Sequence, residues 1–156
     1  NTINFYFIGK GWRKKIGWEN KIIKNVTVRV FDRELSEAEF KFFIQESVFG
    51  VLPYRQPTKL YDEIFQGSGV APNFLFDGKA CLVFEEGGRP EIVGNSGSVL
   101  QKNGTADDLA GAIDALFDPG LRHVYEQRAQ IDRDRFSVEN HAAKCVYLFN
   151  SLLKYG

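Results

Sequence analysis

The chain has 156 residues, of which 44% are apolar and 26% are charged, with 20 basic and 20 acidic side chains. This length predicts one domain with a sizeable core. The charge balance gives no support to a nucleic acid or an acidic partner, and no apolar run is as long as a membrane span. Cys81 and Cys145 lie far apart in the sequence, so we expect two reduced core thiols.

The sequence contains no methionine, and Asn1 leads almost at once into an apolar run. We therefore expect a piece of a longer chain.

Strands are predicted at residues 3–8, 25–30, 48–53, 80–84 and 97–100. Helices are predicted from Ser36 to about Glu46, from Val70 to Phe76, and after the N-caps Thr105, Asp118 and Ser137. On the last helix, the predicted inner face holds Ala142, Cys145, Val146, Phe149, Leu152 and Leu153.

Alternating strands and helices predict an α/β fold with a mainly parallel sheet. The right-handed crossover rule makes a Rossmann-like three-layer sandwich the expected arrangement. Ligands of such sheets bind beyond the carboxyl ends of the strands. The segments 9–15, 53–69 and 85–91 each follow a predicted strand, so we expect these loops to converge on one edge.

The most informative loop contains Gln66, Ser68, Gly69 and Val70. Glycine lets the backbone approach a ligand closely. The helix predicted to begin at Val70 would add free N–H groups and a partial positive charge. This combination favours a phosphate site over a plain structural turn.

Two basic segments have both a functional and a structural interpretation. Gly11 would let the backbone approach a nucleotide while Arg13 meets a phosphate, or the segment is a solvated basic turn. Arg55, next to Tyr54, would form paired hydrogen bonds to phosphate oxygens, or a surface salt bridge.

The loop after the strand at 80–84 carries Glu85, Glu86 and Glu91, and residues 87–93 are predicted as loop. One of these carboxylates could accept hydrogen bonds from ribose or sugar hydroxyls, or all three belong to a charged loop. No Ser-His-Asp or Cys-His arrangement is recognisable, so the catalytic residues stay unassigned.

A family resemblance is carried by a series of segments in a fixed order: Asn25-Val26-Thr27-Val28, residues 35–43, Val51-Leu52-Pro53-Tyr54, Ser68-Gly69-Val70, residues 78–83, Gly88-Arg89-Pro90-Glu91-Ile92-Val93, residues 97–100, residues 107–117 and Arg135-Phe136-Ser137. In this order and at these spacings, they resemble the C-terminal half of GT-B glycosyltransferases of glycosyltransferase family 4.

The resemblance implies that this half holds the nucleotide-sugar donor of a retaining glycosyltransferase. The implied diphosphate contacts are Ser68, Gly69, Val70 and Arg55. The implied contacts to the nucleotide or the sugar are Gly11, Arg13, Tyr54, Gln66, Asn73, Glu86 and Glu91. No metal or other cofactor is implied, because basic side chains and helix N–H groups meet the leaving diphosphate.

The resemblance also implies that residues 1–156 form one donor-binding domain, lacking its first βα unit and the N-terminal domain that binds a glycan, lipid or small-molecule acceptor. The whole enzyme would be a hexosyltransferase of polysaccharide biosynthesis, located in the cytoplasm or at the inner face of the membrane. This piece alone would not catalyse transfer.

Two alternatives remain. Aligned on Gly69, two glutamates frequent in the family correspond to Gln66 and Phe74, which favours a non-catalytic relative that serves as a binding or assembly module. The other alternative is a Rossmann-like domain for a different phosphate ligand, although the Gly9-Lys10-Gly11 segment lacks the third glycine of the dinucleotide fingerprint.

Overall fold

The computed structural model describes residues 2–9, 20–53 and 69–153. The chain divides into two compact units, Asn1–Phe43 and Ile44–Gly156. Each unit contains a three-stranded sheet, and helices alternate with strands along the second unit. The predicted α/β class is confirmed.

The sheet of the first unit contains β1 (Ile3–Ile8), β2 (Lys21–Ile23) and β3 (Val26–Phe31). Their order is β1-β3-β2, with β1 parallel and β2 antiparallel to β3. The hairpin strand β2 was not among the predicted strands. In the turn after β2, Lys24 has a φ of 53°. The local sequence pattern did not predict this turn.

The boundary between the units falls within α1 (Glu37–Glu46). The predicted capping box is confirmed at its start. The amide of Ser36 donates to the Glu39 carboxylate over 2.9 Å, and the amide of Glu39 donates to the Ser36 hydroxyl over 3.3 Å. Arg33 also binds the carboxylate, with 2.6 Å between Nη2 and Oε1. These hydrogen bonds satisfy amide groups that an isolated helix start leaves open.

The second unit is built on a parallel sheet in the order β4-β5-β6. Its strands are β4 (Phe49–Leu52), β5 (Ala80–Phe84) and β6 (Gly97–Leu100). Its helices are α2 (Ala71–Phe76), α3 (Arg89–Val93), α4 (Ala106–Phe117), α5 (Pro119–Asp132) and α6 (Val138–Leu153), with a 3-10 turn at Arg133–Phe136.

Apolar side chains pack on both faces of β5, and all five of its residues are buried. Cys81 and Val83 lie in one cluster with Leu52, Ala71, Leu75, Val93 and Ala129. Ala80 and Leu82 lie in a second cluster with Leu116. Neighbouring residues of a strand point to opposite faces, so the uninterrupted apolar run places β5 inside the unit.

The predicted starts of the later helices are confirmed. Thr105 and Asp108 form a reciprocal capping box at α4, and hydrogen bonds from Thr105 lower the pKa of Asp108. Asp118 accepts from the amide of Leu121 at 2.7 Å, and Ser137 accepts from the amide of Asn140 at 3.1 Å.

Two predictions about elements are wrong. Residues 87–93 are not all loop, because Arg89–Val93 forms the short helix α3 with Pro90 in its first turn. The predicted inner face of α6 is not buried: Phe149 is 64% exposed and Leu152 is 61% exposed. Helical periodicity identifies an apolar face, but it does not show that the same chain covers that face.

Candidate functional site

The candidate site lies at the carboxyl edge of the parallel sheet in the second unit. Because β4, β5 and β6 are parallel, the residues that follow Leu52, Phe84 and Leu100 lie along one edge. The helices α2 and α3 follow β4 and β5 along the chain, and they pack against each other. The start of α2 and the loop before α3 therefore belong to the same end of the unit.

The start of α2 offers an approachable backbone. Gly69 is exposed, and a Cβ atom added to it would meet nothing within 4 Å. Val70 is the N-cap residue and has no side-chain cap, while the carbonyl of Gly69 accepts from the Asn73 side chain at 2.6 Å. Asn73 is exposed, so it can reach both the Gly69 backbone and a ligand beside it.

The loop between β5 and α3 ends in a glycine pair. Gly87 has a φ of 56°, a left-handed conformation that glycine adopts without strain. Gly88 is the N-cap of α3 and has no side-chain cap. Within residues 2–9, 20–53 and 69–153, the amides of Gly87 and Gly88 donate to no acceptor. Such amides can bind an anion.

Both sides of this glycine pair are held by backbone hydrogen bonds. Before it, the amide of Glu85 donates to the carbonyl of Leu100 at 2.7 Å, which ties the end of β5 to the end of β6. After it, the amide of Ile92 donates to the carbonyl of Gly88 at 3.1 Å and begins the helix. The glycine pair, with Gly87 exposed and Gly88 half-buried, is thus a short segment between two fixed ends.

A buried ion pair spans the same segment. The Nη2 atom of Arg89 lies 3.0 Å from the Oε2 atom of Glu86, and the two side chains are only 5% and 3% exposed. The Nε atom of Arg89 is also buried, without a hydrogen-bond partner in the described part of the chain. Arg89 was not among the site residues predicted from the sequence. The opposite charges of Glu86 and Arg89, three positions apart, could have indicated an ion pair. Because residues 87–93 were predicted as loop, both side chains were expected to be exposed to solvent.

The carboxylates named from the sequence differ in their surroundings. Glu85 and Glu91 are exposed, whereas Glu86 is buried. Glu91 belongs to α3, and its carbonyl accepts from Nη2 of Arg135 at 3.2 Å. Its side chain is free to meet solvent, as a hydroxyl-binding carboxylate must be.

Phe74, which stands where the resemblance places a glutamate, is half-buried against the core. It packs against the cluster around Leu75 and Val83. A Cβ atom added to Gly50 would lie 2.9 Å from three atoms of the Phe74 ring, so the ring lies directly against the backbone of β4. This side chain supports the sheet and supplies no polar group.

The second unit contains five of the predicted contacts: Gly69, Val70, Asn73, Glu86 and Glu91. The remaining predicted contacts lie outside the described residues: Gly11, Arg13, Tyr54, Arg55, Gln66 and Ser68. Their assignments stay predictions.

The described ranges contain no group of three or more histidine, cysteine, aspartate or glutamate side chains that could hold a metal ion. Among the helices that the structure describes, none has the length and apolar content needed to cross a membrane. No protein-family model matches the chain, and no curated protein matches it.

Proposed function

We propose that the chain is the nucleotide-sugar donor-binding domain of a retaining glycosyltransferase, related to the C-terminal half of the family 4 GT-B enzymes. The observation that carries the proposal is the pair of glycine-containing helix starts, Gly69–Val70 and Gly87–Gly88, at one end of a parallel sheet. A donor diphosphate fits such an end because it is anionic and needs several N–H donors at once.

The backbone at this edge suits a leaving diphosphate. The amides of Gly87 and Gly88 have no acceptor in the described part of the chain, and the space beside Gly69 is open. Donors that are already in place stabilise the negative charge that develops as the glycosidic bond to the diphosphate breaks. In this proposal, Arg55 and Ser68 add a guanidinium and a hydroxyl to the backbone donors, and the donor needs no metal ion.

The sugar and ribose hydroxyls would be bound by the exposed polar side chains of the same edge. Glu91 is the better candidate of the two proposed glutamates, because its carboxylate is exposed while that of Glu86 faces Arg89. Asn73 is exposed at the start of α2. The proposal also retains Gly11, Arg13, Tyr54 and Gln66 as contacts to the nucleotide or the sugar.

The proposal includes a specific domain organisation. We expect residues 1–156 to form one Rossmann-like three-layer domain. The parallel pairing of β4, β5 and β6 is compatible with a Rossmann-like fold. The acceptor would be a glycan, lipid or small molecule bound by a further domain of the whole enzyme, in the cytoplasm or at the inner face of the membrane.

A second candidate function is favoured by one observation. Phe74 is packed in the core against Gly50, so the second glutamate of the family has no substitute at that position. A relative that binds a nucleotide sugar without transferring it, or that serves as an assembly module, would tolerate this change. Titration with nucleotide separates the assembly module, which binds none, from the donor-binding domain.

The experiment is calorimetric titration of the chain with uridine diphosphate and guanosine diphosphate. We expect one of them to bind, and we expect Gly69→Ala to weaken that binding about tenfold or more, because the new methyl group occupies the space that a phosphate oxygen needs. Gly111→Ala is the matched control, since a Cβ atom there also meets nothing within 4 Å. If neither nucleotide binds, the proposal is contradicted.

A further inference from the structure

The ion pair of Glu86 and Arg89 is buried, unlike the pair of Arg33 and Glu39 on the surface. Its side chains are 3% and 5% exposed, whereas those of Glu39 and Arg33 are 42% and 52% exposed. An ion pair on the surface contributes little to the free energy of folding, and its two ions lose little hydration. A buried pair must overcome the loss of hydration of both ions, so its presence calls for an explanation.

Stability does not explain this pair. Two apolar side chains of similar volume generally stabilise a buried position at least as well as two ions do. The cost is raised further because the Nε atom of Arg89 is buried and lacks a partner among the described residues. The pair therefore points to a role in fixing one particular backbone conformation.

The segment that the pair spans is the glycine pair of the candidate site. Glu86 precedes Gly87 and Arg89 follows Gly88, so the ion pair closes a short loop around the two glycines. Glycine has the largest conformational freedom of all residues, and Gly87 and Gly88 have no hydrogen bond of their own amides to hold them within the described part of the chain. The side-chain pair supplies the restraint that the backbone lacks.

We propose that Glu86 and Arg89 are positioning residues that hold the amides of Gly87 and Gly88 in the arrangement that binds the donor diphosphate. This inference rests on the proposed function. It assigns Glu86 to the loop that binds the donor and leaves hydroxyl binding to Glu91. The gain is preorganisation: a loop that is already ordered loses less entropy when the ligand binds.

The test separates stability from positioning with the double variant Glu86→Leu/Arg89→Met. We expect it to melt at or above the temperature of the unaltered protein, because it replaces two buried charges by apolar groups. We expect its affinity for the preferred nucleotide diphosphate to fall about tenfold. The control is Arg122→Met/Glu126→Leu, which removes an ion pair on α5 and should leave the affinity unchanged.

Backbone ¹⁵N relaxation of Gly87 and Gly88 provides a second readout that needs no ligand. We expect both amides to be rigid in the unaltered protein and mobile on the nanosecond scale in the double variant. If the double variant does not fold, Arg89→Lys takes its place. It keeps the charge but not the planar guanidinium, and we expect a smaller fall in affinity with partial mobility.

The outcomes distinguish this inference from the proposed function. Binding by the variant as tight as that of the unaltered protein overturns the positioning role and leaves the proposed function standing. If the unaltered protein binds neither nucleotide, the proposed function fails. The relaxation data then decide the positioning role, and equal rigidity of Gly87 and Gly88 in both proteins overturns it.

Discussion

Gly97 allows β5 and β6 to approach closely near their amino ends, at the edge of the sheet opposite the candidate site. A Cβ atom added to it would lie 2.1 Å from the carbonyl oxygen of Cys81 and 2.7 Å from Cγ1 of Val93. The first atom belongs to the backbone of β5 and cannot move aside as a flexible side chain can. The close pairing of β6 with β5 at Cys81 therefore depends on this small residue.

We expect Gly97→Ala to destabilise the protein by about 2–3 kcal/mol, because the strands must separate to admit the methyl group. Urea denaturation measures this loss. Gly111→Ala, at a position with open space in α4, should instead be neutral or stabilising by up to about 1 kcal/mol. Equal midpoints for Gly97→Ala and the unaltered protein would show that the close approach is not maintained in solution.

Cys81 and Cys145 lie in different environments. Cys81 is fully buried in β5, and this burial raises the pKa of its thiol to about 12. Cys145 is half-buried on α6. Because the thiolate is the reactive form, Cys81 is protected both by its raised pKa and by the lack of access.

With an aromatic disulfide reagent at pH 8, we expect a rapid reaction of Cys145 and a slow one of Cys81 that follows unfolding. Cys145→Ser should remove the rapid phase and leave the slow phase unchanged. A rapid reaction of the Cys145→Ser variant in native conditions would mean that β5 opens far more readily than its burial indicates.

At the scale of the elements, the start of α1 is sensitive to pH. Hydrogen bonds from Arg33, and then from the amide and hydroxyl of Ser36, lower the pKa of the Glu39 carboxyl from 4.5 to about 2. A carboxyl whose pKa is lower in the folded state stabilises the fold above its ordinary pKa. That contribution is lost as the pH falls from about 4.5 towards about 2.

We therefore expect the stability difference between the unaltered protein and Glu39→Gln to be largest near neutral pH and to shrink as the pH falls through this range. Chemical denaturation of both proteins at several pH values measures it. Glu46→Gln, at the other end of α1, is the control and should follow the pH profile of the unaltered protein. A difference that does not change with pH would contradict the role of the Glu39 carboxylate.

The sequence predicted the elements whose signals are local. The apolar runs of β4, β5 and β6 and the caps Thr105, Asp118 and Ser137 are short-range features, and the structure confirms them. The strand β2 was missed because it has three exposed residues and no alternation of apolar and polar positions. The helix α3 was missed because the two glycines before it indicated a loop more strongly than Pro90 indicated a helix start.

At the scale of the whole molecule, the order of strands and helices predicted the α/β class and a parallel sheet. It could not predict that the six described strands pair in two three-stranded sheets, because strand pairing depends on contacts between distant residues. For the site, residue type and order predicted Gly69 and Val70 but did not predict a role for Gly87 and Gly88. The burial of Glu86 against Arg89 could not be predicted, because it depends on how α3 packs on the rest of the unit.

The proposed ligand, a nucleotide diphosphate, would bind at the carboxyl edge of the β4-β5-β6 sheet. The most direct measurement is a titration of ¹⁵N-labelled protein with uridine and guanosine diphosphate, followed by the backbone amide signals. We expect saturable shifts at Gly69, Val70, Gly87 and Gly88 with one of the two nucleotides, and none along the exposed face of α4. Saturating nucleotide that leaves these four amides unmoved would contradict the proposed binding.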